Sequence, residues 1–177
     1  MYRTQQRLSR SLLTLAALPL AALAHDYSFI EGGYVSIDNG AEDEGGIRIG
    51  GWIPLAPQFN LIAEYADADE FNQLSFGGQF HAPLSPQLDW TAGATMESIE
   101  VGRADDTGLG LRGGLRWQST SGQFEVNPEI RFVDVFEDES TSLRVAGLAA
   151  INAQLWLQGA VQTGDDDRME LGIRHGF

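Results

Sequence analysis

Gly108, Gly110 and Gly113 form a GxGxxG within DDTGLGLRGGLRWQ (105–118), the spacing that can seat a pyrophosphate at a helix N-terminus. That chemistry needs a strand before the glycines, a helix after them and an acid further on. Here Leu109, Leu111, Leu115 and Trp117 alternate with Arg112 and Arg116 at a period of two. The segment therefore predicts one uninterrupted strand, on which glycines ease curvature. The three histidines, His25, His81 and His175, are the next candidates for chemistry, but all map to one end of the strands and no nucleophile stands with them. His25, as a mature N-terminal residue, could chelate copper through amine and ring. That use needs a second histidine close by, and the spacing supplies none. Asp165-Asp166-Asp167, Asp67-x-Asp69-Glu70 and Asp105-Asp106 could attract hard cations, yet they lack the loop length, glycine and terminal Glu of a dedicated site. The sequence predicts no enzyme, no cofactor and no dedicated metal centre.

The elements that must carry these residues follow from bulk properties and periodicity. The 177 residues suit a single domain, and the absence of cysteine excludes disulfides and thiolate metal sites. Lysine is also absent, so all eleven basic side chains are arginines. Residues 1–24 read as a cleaved signal peptide: Arg3, Arg7 and Arg10 precede an apolar stretch from Ser11 to Ala22, and small residues close it at Ala22-Leu23-Ala24. The mature domain is then expected to span 25–177, with eight arginines against 25 acids, a charge of −17. Such acidity argues against nucleic acid as a partner, because binding it rests on neutralising phosphates.

From residue 26 the period is two almost throughout, which predicts strands at about 27–37, 44–54, 58–66, 71–82, 87–98, 107–118, 123–135, 141–151, 153–163 and 168–177. Their connections alternate in kind. Pro54-Leu55-Ala56-Pro57-Gln58, Pro83-Leu84-Ser85-Pro86-Gln87, 119–122 and 151–153 are short and carry little charge. Those at 38–44, 67–70, 97–106, 134–139 and 165–167 are longer or strongly acidic. In an up-and-down meander alternate connections lie at opposite ends, so one end is plain and the other densely negative.

Which face is wet is decided by the polar one. Opposite the apolar positions stand Arg48, Arg112, Arg116, Arg131, Arg144 and Arg174, together with Glu31, Glu64, Asp89, Glu125, Glu129 and Glu170. Six cations facing six anions in so acidic a chain suit an enclosed lumen, where an unpaired charge is costly and arginine's fork can bridge two carboxylates. The apolar face is aliphatic in mid-strand and turns aromatic near the ends: Phe59, Phe80, Trp90, Trp117, Phe124 and Phe177 at the plain end, Tyr65, Phe76 and Phe132 at the acidic one. A barrel in a bilayer presents aromatics at both headgroup levels. Pro128 inside the seventh strand predicts a bulge or a slipped register.

These features together resemble the small outer-membrane β-barrel proteins of Gram-negative bacteria, the superfamily of the OmpA transmembrane domain and OmpX. The likeness covers the whole mature chain as a pattern and carries no diagnostic motif. It implies a closed antiparallel up-and-down transmembrane β-barrel, of about ten strands by the count above, or eight as in the best-known relatives. It implies residence in the outer membrane, with lipid and lipopolysaccharide as surroundings. It also implies that the barrel-assembly machinery reads the last strand through Leu171, Ile173 and the terminal Phe177. His175 departs from the aromatic or apolar residue more usual at its position. The expected role is structural or interactional, with an extracellular ligand possible; a narrow cation-preferring pore is the alternative. A soluble exported barrel that turns its apolar face inward to bind an apolar ligand is a third class.

Overall fold

The computed structural model of the protein describes residues 25–38, 43–136, 138–165 and 167–177. The expected leader, 1–24, lies outside the described residues. Among the described residues ten strands follow one another without a helix: β1 (Phe29–Asp38), β2 (Asp43–Ala56), β3 (Phe59–Ala68), β4 (Phe71–Ser85), β5 (Leu88–Val101), β6 (Ala104–Gln118), β7 (Phe124–Val135), β8 (Asp138–Ala150), β9 (Leu155–Gly164) and β10 (Asp167–Gly176). Each pairs antiparallel with its chain neighbour, and β1 pairs β10 from Phe29↔Gly176 to Asp38↔Asp167, closing the sheet. Closure removes both edges, so every interior strand finds partners on two sides. The count is ten rather than eight.

The period-two alternation sorts the side chains as the charge balance requires. Ile47, Ile49, Phe76, Leu111, Ile130, Leu157 and Leu171 stand exposed on the outside, while Arg48, Arg112 and Glu64 are buried within. A soluble barrel would do the reverse, so the arrangement is that of a barrel solvated by hydrocarbon. The girdle residues Phe59, Phe80, Trp90, Trp117, Phe124 and Phe177 are exposed near the plain end, as is Phe76 toward the acidic one.

Two expectations are corrected. Pro128 causes neither bulge nor slip: pairing with β8 runs unbroken through Pro128↔Val145, and the register with β6 is the same at Gly114↔Glu129 as at Trp117↔Val126. What the proline removes is the pairing between, opposite Leu115 and Arg116. A missing donor opens a gap in one ladder without moving the strand. The bulges fall instead at the two near-identical turns, where the register shifts between Pro54 and Ala56 and between Pro83 and Ser85.

The acidic connections are also tighter than their charge suggests. β3 and β4 are joined by Asp69-Glu70 alone, and β5 and β6 by Gly102-Arg103. The backbone reverses there through positive φ, 45° at Asp69 and 62° at Gly102. The strands simply run on: Glu100 pairs Asp105 and Val101 pairs Ala104 in residues whose acidity suggests a loop.

Candidate functional site: the lumenal charge network

The lumen is built in levels. At the plain end, before β1 begins, the chain folds inward so that His25 and Tyr27 are buried. The Tyr27 ring stacks on His81 with centroids 3.8 Å apart, and its hydroxyl donates to Asp89 at 3.1 Å. Phe29 stacks on Trp52 at 4.9 Å, and the guanidiniums of Arg116 and Arg174 lie over these rings at 4.5 Å from Tyr27 and 4.0 Å from Phe29. His25 Nδ1 sits 3.0 Å from Asp89 Oδ2, off the line that a hydrogen bond requires, and His81 Nδ1 lies 3.9 Å from the same oxygen. Burial, with Arg116 nearby, holds the His25 imidazole below its ordinary pKa. Closure therefore brings a second histidine near His25, which sequence spacing did not reveal. Among the described residues no group of three His, Cys, Asp or Glu converges on a metal position.

Above this plug lies the charge network. Glu64 on β3 is its hub, 6% exposed, accepting from Arg48 at 2.6 Å, Arg112 at 3.1 Å and Arg131 at 3.4 Å. The register explains why a hub is needed. Arg112 on β6 and Arg131 on β7 are directly opposite one another, a like-charge pair that would destabilise the sheet. The Glu64 carboxylate reaches across the lumen to both, and Glu129 holds Arg131 from its own strand at 2.7 Å. Glu31 joins Arg48 at 2.7 Å to Arg174 at 3.2 Å. Glu125 joins Arg174 at 2.5 Å to Arg116 at 2.8 Å. Arg144 takes Glu170 in a two-pronged contact at 3.0 and 2.6 Å, and Arg48 lies 3.6 Å from the same carboxylate. The fork geometry of guanidinium lets one arginine tie carboxylates on two strands, which a lysine point charge does less well.

All twelve charged residues singled out from the sequence, Arg48, Arg112, Arg116, Arg131, Arg144, Arg174, Glu31, Glu64, Asp89, Glu125, Glu129 and Glu170, thus project inward. Eleven join the network, while Asp89 belongs to the plug below. Two more lie on the lumenal side, Glu97 and Arg168. Glu97 is 2% exposed and accepts from Ser75 and Thr95, each at 2.5 Å, and from Gln73 at 3.0 Å. It was hidden among the acids of 97–106, although the inward series Asp89, Thr91, Gly93, Thr95, Glu97 reaches it in unbroken steps of two. Also unforeseen are Gln79, Gln158, Gln162 and Asn60, all buried.

Large inward side chains need a small residue beside them on the neighbouring strand, as Thr95 has in Gly110 and Arg112 in Gly93. Gly110, the middle glycine of the GxGxxG, faces inward beneath Glu97 and Thr95, and any side chain there would strike both. A Cβ at Gly93 would lie 3.0 Å from Arg112 Cγ. These glycines make room for the network, so the spacing that mimics a nucleotide loop serves packing.

Leu171, Ile173 and Phe177 stand exposed along the outside of β10, with His175 on the same face.

No protein-family model and no curated protein matches the chain. Solved structures do match in fold. A KdgM porin superposes with a TM-score of 0.54 at 11% identity over 84% of this chain and 99% of that one. A KdgM porin in complex with disordered oligogalacturonate gives 0.55 at 10% identity over 84% and 99%. A NanC porin gives 0.51 at 8% identity over 85% and 100%. At such identities the likeness concerns architecture alone: the chain has the fold of a transmembrane β-barrel.

Proposed function

We propose that the protein is an outer-membrane barrel with a closed lumen, whose role is structural or interactional: a rigid, lipid-embedded anchor presenting an acidic rim. One observation carries this reading. The carboxylates of Glu64 and Glu125 tie guanidiniums across the lumen while Glu31 ties those of its two flanking strands, and the void left among the groups at this level and the plug is about 60 Å³. About 10–15 Å³ of such water-centre space admits one water, so the void takes about four to six, a small pocket among the side chains rather than a wide channel. Open channels are a property of much wider barrels, and a barrel near this size fills its interior with side chains.

The finer assignments belong to the same reading. Residues 1–24 direct export and are removed. The outward row Leu171, Ile173 and Phe177 is what the assembly machinery engages, and the surroundings are outer-membrane lipid and lipopolysaccharide, as in the OmpA and OmpX superfamily the sequence resembles. The reading is non-enzymatic, since the buried carboxylates of the network are engaged with arginines rather than converging on a cleft.

A second reading, a narrow cation-preferring pore, is favoured by the acidic turns at one mouth, which would concentrate cations there. Planar-bilayer recording separates the two. Purified protein is expected to give no conductance steps, and Glu64→Ala with Arg131→Ala, which shortens two groups of the network, is expected to produce them. Steady cation-selective steps from the natural protein would establish the pore instead.

A further inference from the structure

Toward the acidic end the lumen changes character. Beyond Glu97 several inward positions turn apolar, and Ile37, Phe71, Ile99, Val133, Val135 and the turn residue Phe136 line, together with Gln73, Ser140 and Arg168, a cup of about 370 Å³. That volume lies within the range of small-molecule sites, which are typically about 300–1,000 Å³ and mostly apolar with a few polar groups. Hydrogen-bonded side chains stand below it. Glu97 is held by Ser75, Thr95 and Gln73, and Gln73 in turn accepts from Arg168 at 2.8 Å. The Arg168 guanidinium lies 4.9 Å from the centre of the Phe71 ring. Around the same cup stand the carboxylates of Asp38, Asp138 and Asp165.

Two features set this cup apart from unused lumen. An apolar lining at a wet mouth is unfavourable, because nothing in a lumen obliges those positions to be apolar as lipid obliges the outer face. Phe136 is also held at φ 61°, a conformation that is an outlier for a bulky residue, with its backbone N–H donating to Asp106 at 2.8 Å. Strain of this kind persists where the surroundings impose it, and it collects at ligand clamps. Here it sets an aromatic ring at the lip of the cup.

We propose that this cup binds small hydrophobic cations, aromatic or alkyl ammonium compounds, with the apolar body inside and the charged group at the rim. Three carboxylates and one guanidinium line it, a net charge of −2. An anion of the same shape is repelled, a neutral molecule gains only the apolar contacts, and a cation adds attraction to the carboxylates and to the face of Phe136. Because the cup lies at the acidic mouth, beyond the Glu64 network, binding there does not depend on whether the lumen conducts.

The test uses the folded full barrel in nanodiscs of zwitterionic lipid, titrated with benzyltrimethylammonium, benzyl alcohol and phenylacetate, with empty nanodiscs subtracted. Saturable binding is expected in the order cation, alcohol, anion. Asp138→Asn with Asp165→Asn is expected to weaken the cation about five- to tenfold, the scale of removing two charges at a wet rim, while leaving the alcohol unchanged. Ile99→Trp, which fills the cup, is expected to abolish both. Absence of saturable binding to the natural protein, or a cation bound no more tightly than the alcohol, overturns the proposal without any variant having to fold. So does an unchanged cation affinity in the Asn pair, provided that its unboiled sample migrates as the natural barrel does.

Discussion

Glu64→Gln tests the network at its hub. The substitution keeps the volume and removes one negative charge from a lumen in which seven arginines face six glutamates and Asp89. Glu64 Oε1 accepts from Arg48 and Arg131, and Oε2 from Arg112. A glutamine can leave its carbonyl oxygen with the first two and must then turn its NH2 toward Arg112, donor against donor. Arg112 Nη1 already has no hydrogen-bond partner, so this guanidinium is left buried and uncompensated. Losing a charge-assisted hydrogen bond costs about 1.5–3 kcal/mol, and breaking a buried pair as a whole about 3–5 kcal/mol. The expected loss is therefore about 3–5 kcal/mol, read as the shift in urea midpoint of the lipid-reconstituted barrel by tryptophan fluorescence. Arg112→Gln in the same chain restores neutrality, and the double variant is expected to be less destabilised than the sum of the singles by about 1–3 kcal/mol. Glu100→Gln, an exposed acid on β5, should stay within about 0.5 kcal/mol of the natural protein. A loss below about 1 kcal/mol for Glu64→Gln with an additive double variant would refute the reasoning, because it would mean that the lumen is hydrated enough to screen these charges.

Two further outcomes follow from the ends of the barrel and its one gap. The buried His25 imidazole has its pKa depressed by burial and by Arg116, against the opposing pull of Asp89 and Glu125. The undocked segment therefore binds more protons over the interval between the depressed value and the ordinary one of about 6.5, so docking of residues 25–28 is strongest above that interval and weakens as pH falls through it. Hydrogen exchange in this segment, corrected for intrinsic rate, should speed up between pH 7 and pH 5, and His25→Gln should flatten the change; equal protection at both pH values would contradict it. Pro128→Ala supplies the backbone donor missing opposite Leu115 and Arg116. The new amide should exchange slowly and stability should rise by up to about 1 kcal/mol, whereas a fast-exchanging amide would show that the gap is held open by more than the proline.

Much of the architecture was legible because a lipid-facing barrel obeys a strict parity. Once Leu111 is outside, Arg112 must be inside, and the balance of lumenal charge follows from the cost of burying an unpaired one. Parity names the face and is silent about the partner. Glu64 meets Arg112 and Arg131 from 48 and 67 residues away, and those meetings depend on the stagger of the strands around the cylinder, which no local pattern encodes. The aromatic plug was obscured for a different reason. Tyr27, Phe29 and Trp52 place apolar rings on the lumenal side, so the alternation fades where β1 begins. At the other end, acids such as Glu100 and Asp105 read as solvated loop, yet they continue a hairpin, because a strand that rises beyond the membrane into water loses its apolar partner face and keeps its hydrogen bonds.

The carboxylates that span the lumen act on the cylinder as spokes act on a wheel. A hollow sheet of this circumference can flatten toward an oval when neighbouring molecules crowd it, but flattening here would pull Glu64 away from Arg112 and Arg131 at once. The ties therefore stiffen the cross-section, and it is the surrounding lipid that must adjust its thickness and tilt to the protein.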